Sequence, residues 1–187
     1  MLRIFISGGC KNGKSYFAQK LARGQSEGRM YYLATMRPCD NEDYERIQRH
    51  RKERHGWGFI TIEQPVDILQ CLNICDTNAS FLLDSTTALL ANEMFPASNV
   101  VNLNAPKKIA EDLTSLCKQI NNIVIVSDYI YSDAILYEDL TEAYRKGLAF
   151  IDRKLAAICD VVLEVAFGSI VIHKGREVFM PFYEKIL

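Results

Sequence analysis

The sequence predicts an α/β fold, a mainly parallel sheet with helices on both faces that ends in a C-terminal β-hairpin. Three observations predict it. Short apolar runs alternate with longer stretches of helical period along most of the chain. A glycine-rich segment, residues 8–15, joins the first apolar run to the first helical stretch. Near the end, Gly168-Ser169 separates two apolar runs of strand length, which reads as a hairpin. The 187 residues suit one domain, 1–187, large enough to bury a core.

In chain order, the run at residues 2–7 is the first strand and residues 15–23 are the first helix. A strand follows at 30–35. Residues 43–54 read as a helix because acids open the segment and bases close it, matching the helix dipole. Strands at 59–63 and 81–84 bracket a short helical stretch at 66–73. Helices are predicted at 88–94 and 107–121, with polar residues 98–106 between them as a surface excursion. A strand at 123–127 leads into an irregular surface loop, 128–139, and then a long helix at 140–158. The last strand, 160–166, pairs as a hairpin, 161–167 with 170–173.

Residues 8–15 read Gly8-Gly9-Cys10-Lys11-Asn12-Gly13-Lys14-Ser15, a complete G-x-x-x-x-G-K-S phosphate-binding loop. It makes the fold P-loop NTPase-like and predicts a nucleoside-triphosphate site. The glycines let backbone N–H groups turn in around phosphate oxygens, Lys14 reaches the outer phosphates, and the Ser15 hydroxyl takes a Mg²⁺. The helix that begins there points its positive end at the same anion. Asp84 closes the run Phe81-Leu82-Leu83, and a carboxylate at the end of a parallel strand is a second candidate Mg²⁺ ligand.

Segment 41–54 carries a second constellation. Arg46, His50 and Arg54 recur at i, i+4 and i+8, and Arg51 and Lys52 add charge beside them. A solvated charged helix is the plain reading. Beside a phosphate the arrangement gains chemistry, because arginines orient the anion and an imidazole can accept a nucleotidyl group as a covalent nucleophile.

Bulk properties narrow the partners. The chain is 49% hydrophobic and 24% charged with net charge −1, so no field favours nucleic acid or an anionic membrane. Cys10, Cys39, Cys71, Cys75, Cys117 and Cys159 form no C-x-x-C, and they read as small buried side chains rather than zinc ligands. With no signal peptide and no run of membrane-span length, a cytoplasmic location with reduced thiols is expected. No N-K-x-D occurs, which argues against a signalling GTPase. His55 and His173 read as ordinary surface or hairpin positions.

The chain resembles the bifunctional adenosylcobinamide kinase / adenosylcobinamide-phosphate guanylyltransferase family almost end to end. The likeness rests on the opening loop, Tyr32-Leu33-Ala34-Thr35, and Arg46-Ile47-x-x-His50-Arg51-x-x-Arg54. It continues through Thr61-Ile62-Glu63-Gln64-Pro65, Asp84-Ser85-Thr86-Thr87 with Asn92, and Arg153-Lys154-Leu155-Ala156. The resemblance implies a cobalamin-biosynthesis transferase. Such an enzyme phosphorylates a corrinoid acceptor, adenosylcobinamide, from ATP or GTP, and then passes GMP from GTP through a histidine. By the same likeness His50 is the nucleotidylated residue, with Lys14 beside it in the chemistry. Ala34, Thr35, Met36, Arg51, Lys52, Glu53, Arg54, Glu63 and Asp84 fall where guanine nucleotide is contacted, and Ser15 with Asp84 holds Mg²⁺. A homo-oligomer is implied, with a trimer suggested.

Three segments depart from the family pattern. Asp128-Tyr129-Ile130-Tyr131 stands where the family shows Asn-Glu-Val-Gly, and Leu136-Tyr137-Glu138-Asp139 replaces a proline and arginine pattern. Near Gly147–Asp152 the family's G-R-L-N-Q element is altered, with Ala149-Phe150-Ile151-Asp152 in its place. The departures concern the acceptor side, and they keep two alternatives open: a small-molecule kinase of another pathway, or a nucleotide-binding paralogue with reduced activity.

Overall fold

Parallel strands covered on both faces need apolar side chains at successive positions, and this requirement shapes the centre of the molecule. The computed structural model describes residues 1–38, 40–98 and 100–186, with the side chains of Arg46, His50 and Glu53 outside the description. Among the described residues seven strands form one sheet: β1 (Leu2–Gly8), β2 (Met30–Ala34), β3 (Phe59–Glu63), β4 (Ser80–Asp84), β5 (Asn122–Asp128), β6 (Val161–Ala166) and β7 (Ser169–Lys174). Their order is β3-β2-β4-β5-β1-β6-β7, parallel throughout except for the antiparallel pair β6–β7.

Among the described residues there are six α-helices: α1 (Lys14–Gly24), α2 (Asn41–Glu53), α3 (Thr86–Met94), α4 (Ala105–Gln119), α5 (Asp139–Ile158) and α6 (Arg176–Glu184). The pleat sorts side chains between two cores. Ile4 and Ile6 of β1 join Val124 and Val126 of β5 and Leu82 of β4 on the α1 side, where Leu21 and Phe179 complete the packing. Phe5, Ile123, Ile125, Phe81 and Leu83 face the other way, onto Leu89, Leu113, Leu148 and Ile151 of α3, α4 and α5. Each fully buried side chain of this size stabilises the fold by about 1.5–3 kcal/mol. All strand C-termini in the parallel part end at one edge, where ligands bind in open α/β sheets.

Several expectations need adjustment. The 66–73 segment forms a 3₁₀ helix over Ile68–Asn73 rather than an α-helix, entered from Asp67 in the left-handed region at φ 49°. The hairpin turns one residue earlier than predicted, because Phe167 (φ 51°) and Gly168 (φ 75°) both take positive φ. That pair of angles matches the right-handed twist of the flanking strands. Helix α6 was not anticipated; Pro181 lies inside it and masks its period. Its anchor is Phe179, 1% exposed and stacked on Tyr183 at 5.2 Å. The loop after β5 is not wholly a surface excursion, since Ile130 and Tyr131 pack onto the α3–α5 core.

Candidate nucleotide site

The loop between β1 and α1 adopts the backbone its sequence demands. Gly13, at φ 86°, sits at the start of α1 in a conformation L side chains resist. A Cβ at Gly8 would stand 2.6 Å from the Val165 carbonyl oxygen, so the crossing against β6 admits only glycine. Asn12 fastens the loop from inside: its amide donates to that same Val165 carbonyl, and its oxygen accepts from the Lys14 N–H at 3.2 Å.

Lys14 is 5% exposed. Its ammonium donates to the Gly9 carbonyl at 2.9 Å and pairs with Oδ1 of Asp128 at the tip of β5. Asp128 is itself held on two sides, through β5 pairing with Gly8 and through its N–H, which donates to Thr87 Oγ1 at 2.9 Å. The Tyr144 hydroxyl donates to the Thr87 carbonyl at 2.8 Å, and burial, aided by the Asp128 charge, raises its pKa.

Beside this loop lies a cavity of about 420 Å³. Its floor is the strand ends, with Tyr32, Ala34, Asp84 and Ser85. One wall is α2, which contributes Tyr44, Ile47, Gln48, Arg51 and, just beyond its end, Arg54. Asp128, Thr87 and Tyr144 close the side toward Lys14. Met36 and Glu63 also line it.

Arg54 ties the wall to the floor. Its guanidinium lies 4.0 Å from the centroid of the Tyr32 ring, and the Tyr32 hydroxyl donates to Oδ2 of Asp84 at 2.9 Å. Burial holds the Arg54 pKa below its ordinary value, though the guanidinium remains charged. Arg51 pairs with Glu63 across the mouth at 2.7 Å; both are exposed, so the pair is weak and easily exchanged for a ligand.

The residues singled out in the sequence therefore fall into distinct places. Gly8 to Ser15 form the loop, and Ala34, Met36, Arg51, Arg54, Glu63 and Asp84 meet at the cavity. Thr35 lies beneath the floor, 0% exposed, with its hydroxyl donating to the Ser85 carbonyl at 2.7 Å and accepting from the Ser85 N–H at 2.8 Å. Asn92 adds to this clasp by donating to the carbonyls of Thr35 and Pro65. Lys52 is exposed and outside the lining. The backbone of His50 belongs to α2, one turn from both Ile47 and Arg54, while its ring and the side chains of Arg46 and Glu53 lie outside the described residues.

Asp128, Tyr32, Thr87 and Tyr144 line the cavity without being among the candidate site residues read from the sequence. For Asp128 a signal existed: it ends the apolar run of β5 as Asp84 ends that of β4.

The departures after β5 form a network of their own. Tyr131 and Ser127 donate to Oδ2 of Asp152 at 2.8 and 2.9 Å. Burial pushes the Asp152 carboxyl up to about 7, against the pull of those two hydrogen bonds and with the Asp128 charge adding to the rise. Arg145, 8% exposed, clamps the loop by donating to the carbonyls of Ile130, Asp133 and Ile135 and pairing with Asp133 and Glu142.

A phosphate-loop sequence at the head of a parallel sheet, beside a pocket floored by a strand-end carboxylate, defines a P-loop NTPase-like fold. An ATPase from the type III secretion system of pathogenic bacteria superposes with a TM-score of 0.54 at 15% identity, covering 99% of this chain and 61% of that one. That likeness bears on the fold. A family model described as cobinamide kinase / cobinamide phosphate guanyltransferase matches residues 4–172, and the chain belongs to this family. It is similar to the bifunctional adenosylcobalamin biosynthesis protein CobP of Pseudomonas aeruginosa, at 24% identity over 94% of this chain and 99% of that protein. It is also similar to the corresponding protein CobU of Salmonella typhimurium, at 24% identity over 89% and 97%. The chain is thus a diverged member of a transferase family of cobalamin biosynthesis. Among the described residues no helix is long and apolar enough to cross a membrane.

Proposed function

We propose that one site runs two reactions: phosphorylation of adenosylcobinamide by a nucleoside triphosphate, and transfer of GMP from GTP to His50 and on to adenosylcobinamide phosphate. The observation that supports this best is the bridge from α2 to the loop. Arg54 stacks on Tyr32, Tyr32 holds Asp84, and Asp128 on the same cavity holds Lys14. Residues of the helix that carries His50 and Asp128, the partner of the loop lysine, thereby line one cavity.

In the kinase step, loop N–H groups and Lys14 bind the β- and γ-phosphates and α1 directs its positive end at them. Ser15 and Asp84 offer a hydroxyl and a carboxylate, hard oxygen donors of the kind Mg²⁺ takes alongside phosphate oxygens and water. Bound there, the ion would neutralise charge on the phosphates. In the guanylyl step, Arg51 and Arg54 steady the phosphates, and Glu63, freed from Arg51, accepts hydrogen bonds from the guanine edge. A neutral His50 imidazole attacks the α-phosphorus and pyrophosphate leaves. The phosphate of the acceptor then takes the GMP, restoring the histidine.

The test is conversion of adenosylcobinamide with ATP, GTP and Mg²⁺, followed by mass spectrometry. The account expects the phosphate ester first and its GMP-extended product second. A protein that hydrolyses triphosphate yet leaves the corrinoid unmodified would refute the acceptor. Adenosylcobinamide phosphate that never gains GMP would refute the second activity.

A further inference from the structure

The family pattern has an asparagine at the tip of β5, and this chain has Asp128, paired with the loop lysine. We propose that Asp128 competes with the triphosphate for Lys14 and, once displaced, is the general base that deprotonates the acceptor hydroxyl in phosphoryl transfer. The inference rests on the kinase half of the proposed function.

The placement supports both roles. The carboxylate reaches Lys14 inside the loop and lines the cavity next to Thr87 and Tyr144. Its backbone is fixed by strand pairing with Gly8 on one side and by Thr87 on the other, so the side chain is aimed rather than free to wander. Lys14 has few other commitments, because the Gly9 carbonyl takes one of its three donors. A triphosphate carries several negative charges and outcompetes a single carboxylate for the ammonium.

Displaced from Lys14, the carboxylate stands between the γ-phosphate and the cavity. There it accepts the proton as the acceptor oxygen bonds to the γ-phosphorus. The bond from phosphorus to the β,γ-bridging oxygen breaks, its electron pair leaves on the nucleoside diphosphate, and the proton is later lost to solvent. An asparagine cannot do this, since a neutral amide neither pairs with the lysine as an ion nor takes the proton.

Asp128→Asn, with Asp128→Ala as a second variant, tests the idea. Triphosphate affinity is measured with a fluorescent analogue, and turnover is measured with adenosylcobinamide and with water as acceptor. Removing the competitor should tighten triphosphate binding by about tenfold. Removing the base should lower turnover at saturating substrate by about a hundredfold or more, with KM for the acceptor little changed. Unchanged or weaker triphosphate binding, or turnover within about threefold of wild type, overturns the proposal. If the wild-type chain transfers phosphate to water but never to adenosylcobinamide, the corrinoid reading fails on its own. The affinity and hydrolysis readouts then still decide the role of Asp128.

Discussion

The Tyr131 hydroxyl donates to the Asp152 carboxylate at 2.8 Å, and both residues stand where the chain leaves its family's pattern. Two departures more than twenty positions apart in sequence thus meet in one buried hydrogen-bond network with Ser127. Tyrosine in place of glycine needed a polar partner for its hydroxyl, and an aspartate in α5 supplies it. The changes compensate each other; they are not signs of decay.

The Asp152 carboxyl makes stability depend on pH in a predictable direction. Its pKa is raised in the fold to about 7, above the ordinary value of 3.8, so the native state holds a proton that the unfolded chain gives up. Its favourable contribution is complete below about pH 4 and fades as pH rises through about 7. Asp152→Asn keeps an acceptor for Tyr131 and Ser127 and carries no charge. Thermal unfolding should therefore show the variant gaining on wild type between pH 5 and pH 8, by on the order of 2 kcal/mol. A difference that does not change with pH would show that Asp152 titrates normally.

Arg145 should be the keystone of the loop after β5. Its guanidinium satisfies three carbonyls and two carboxylates at 8% exposure, and it lies 4.7 Å from the Tyr137 ring centroid. Arg145→Ala removes the donor these acceptors share, leaving Asp133 only its bonds from the Ile135 N–H and the Tyr137 hydroxyl, and should cost about 3 kcal/mol. Limited proteolysis should then cut within residues 129–138 faster than it cuts the wild type. Equal cleavage rates would mean the loop is held by other contacts.

Lys14→Ala should weaken triphosphate binding by about tenfold to a hundredfold, the loss of one charge-assisted contact. Titration with a fluorescent triphosphate analogue measures it. Unchanged affinity would contradict the assignment of the loop.

Much of this was legible in the sequence for physical reasons. The loop follows from its glycines, whose backbone freedom no other residue supplies, and the parallel sheet follows from short apolar runs that alternate with stretches of helical period. Asp84 was readable as a strand-end carboxylate. What escaped depends on long-range packing. Helix α6 hides behind Pro181, and its reason for forming is Phe179 buried against the sheet. Thr35 reads as a ligand contact, yet its role in the fold is to clasp Ser85, a pairing across 50 positions that no local pattern announces. Arg54 reads as a base that orients a phosphate, and its burial over Tyr32 emerges only when α2 docks on the strand ends.

The central claim is a covalent bond between His50 and GMP. Incubating the protein with GTP labelled at the α-phosphate should give a labelled protein whose adduct is labile in acid and stable in base, as a phosphoramidate is, and His50→Ala should carry no label. Persistent labelling of His50→Ala, or no labelling of a wild-type protein that binds GTP, would contradict the account.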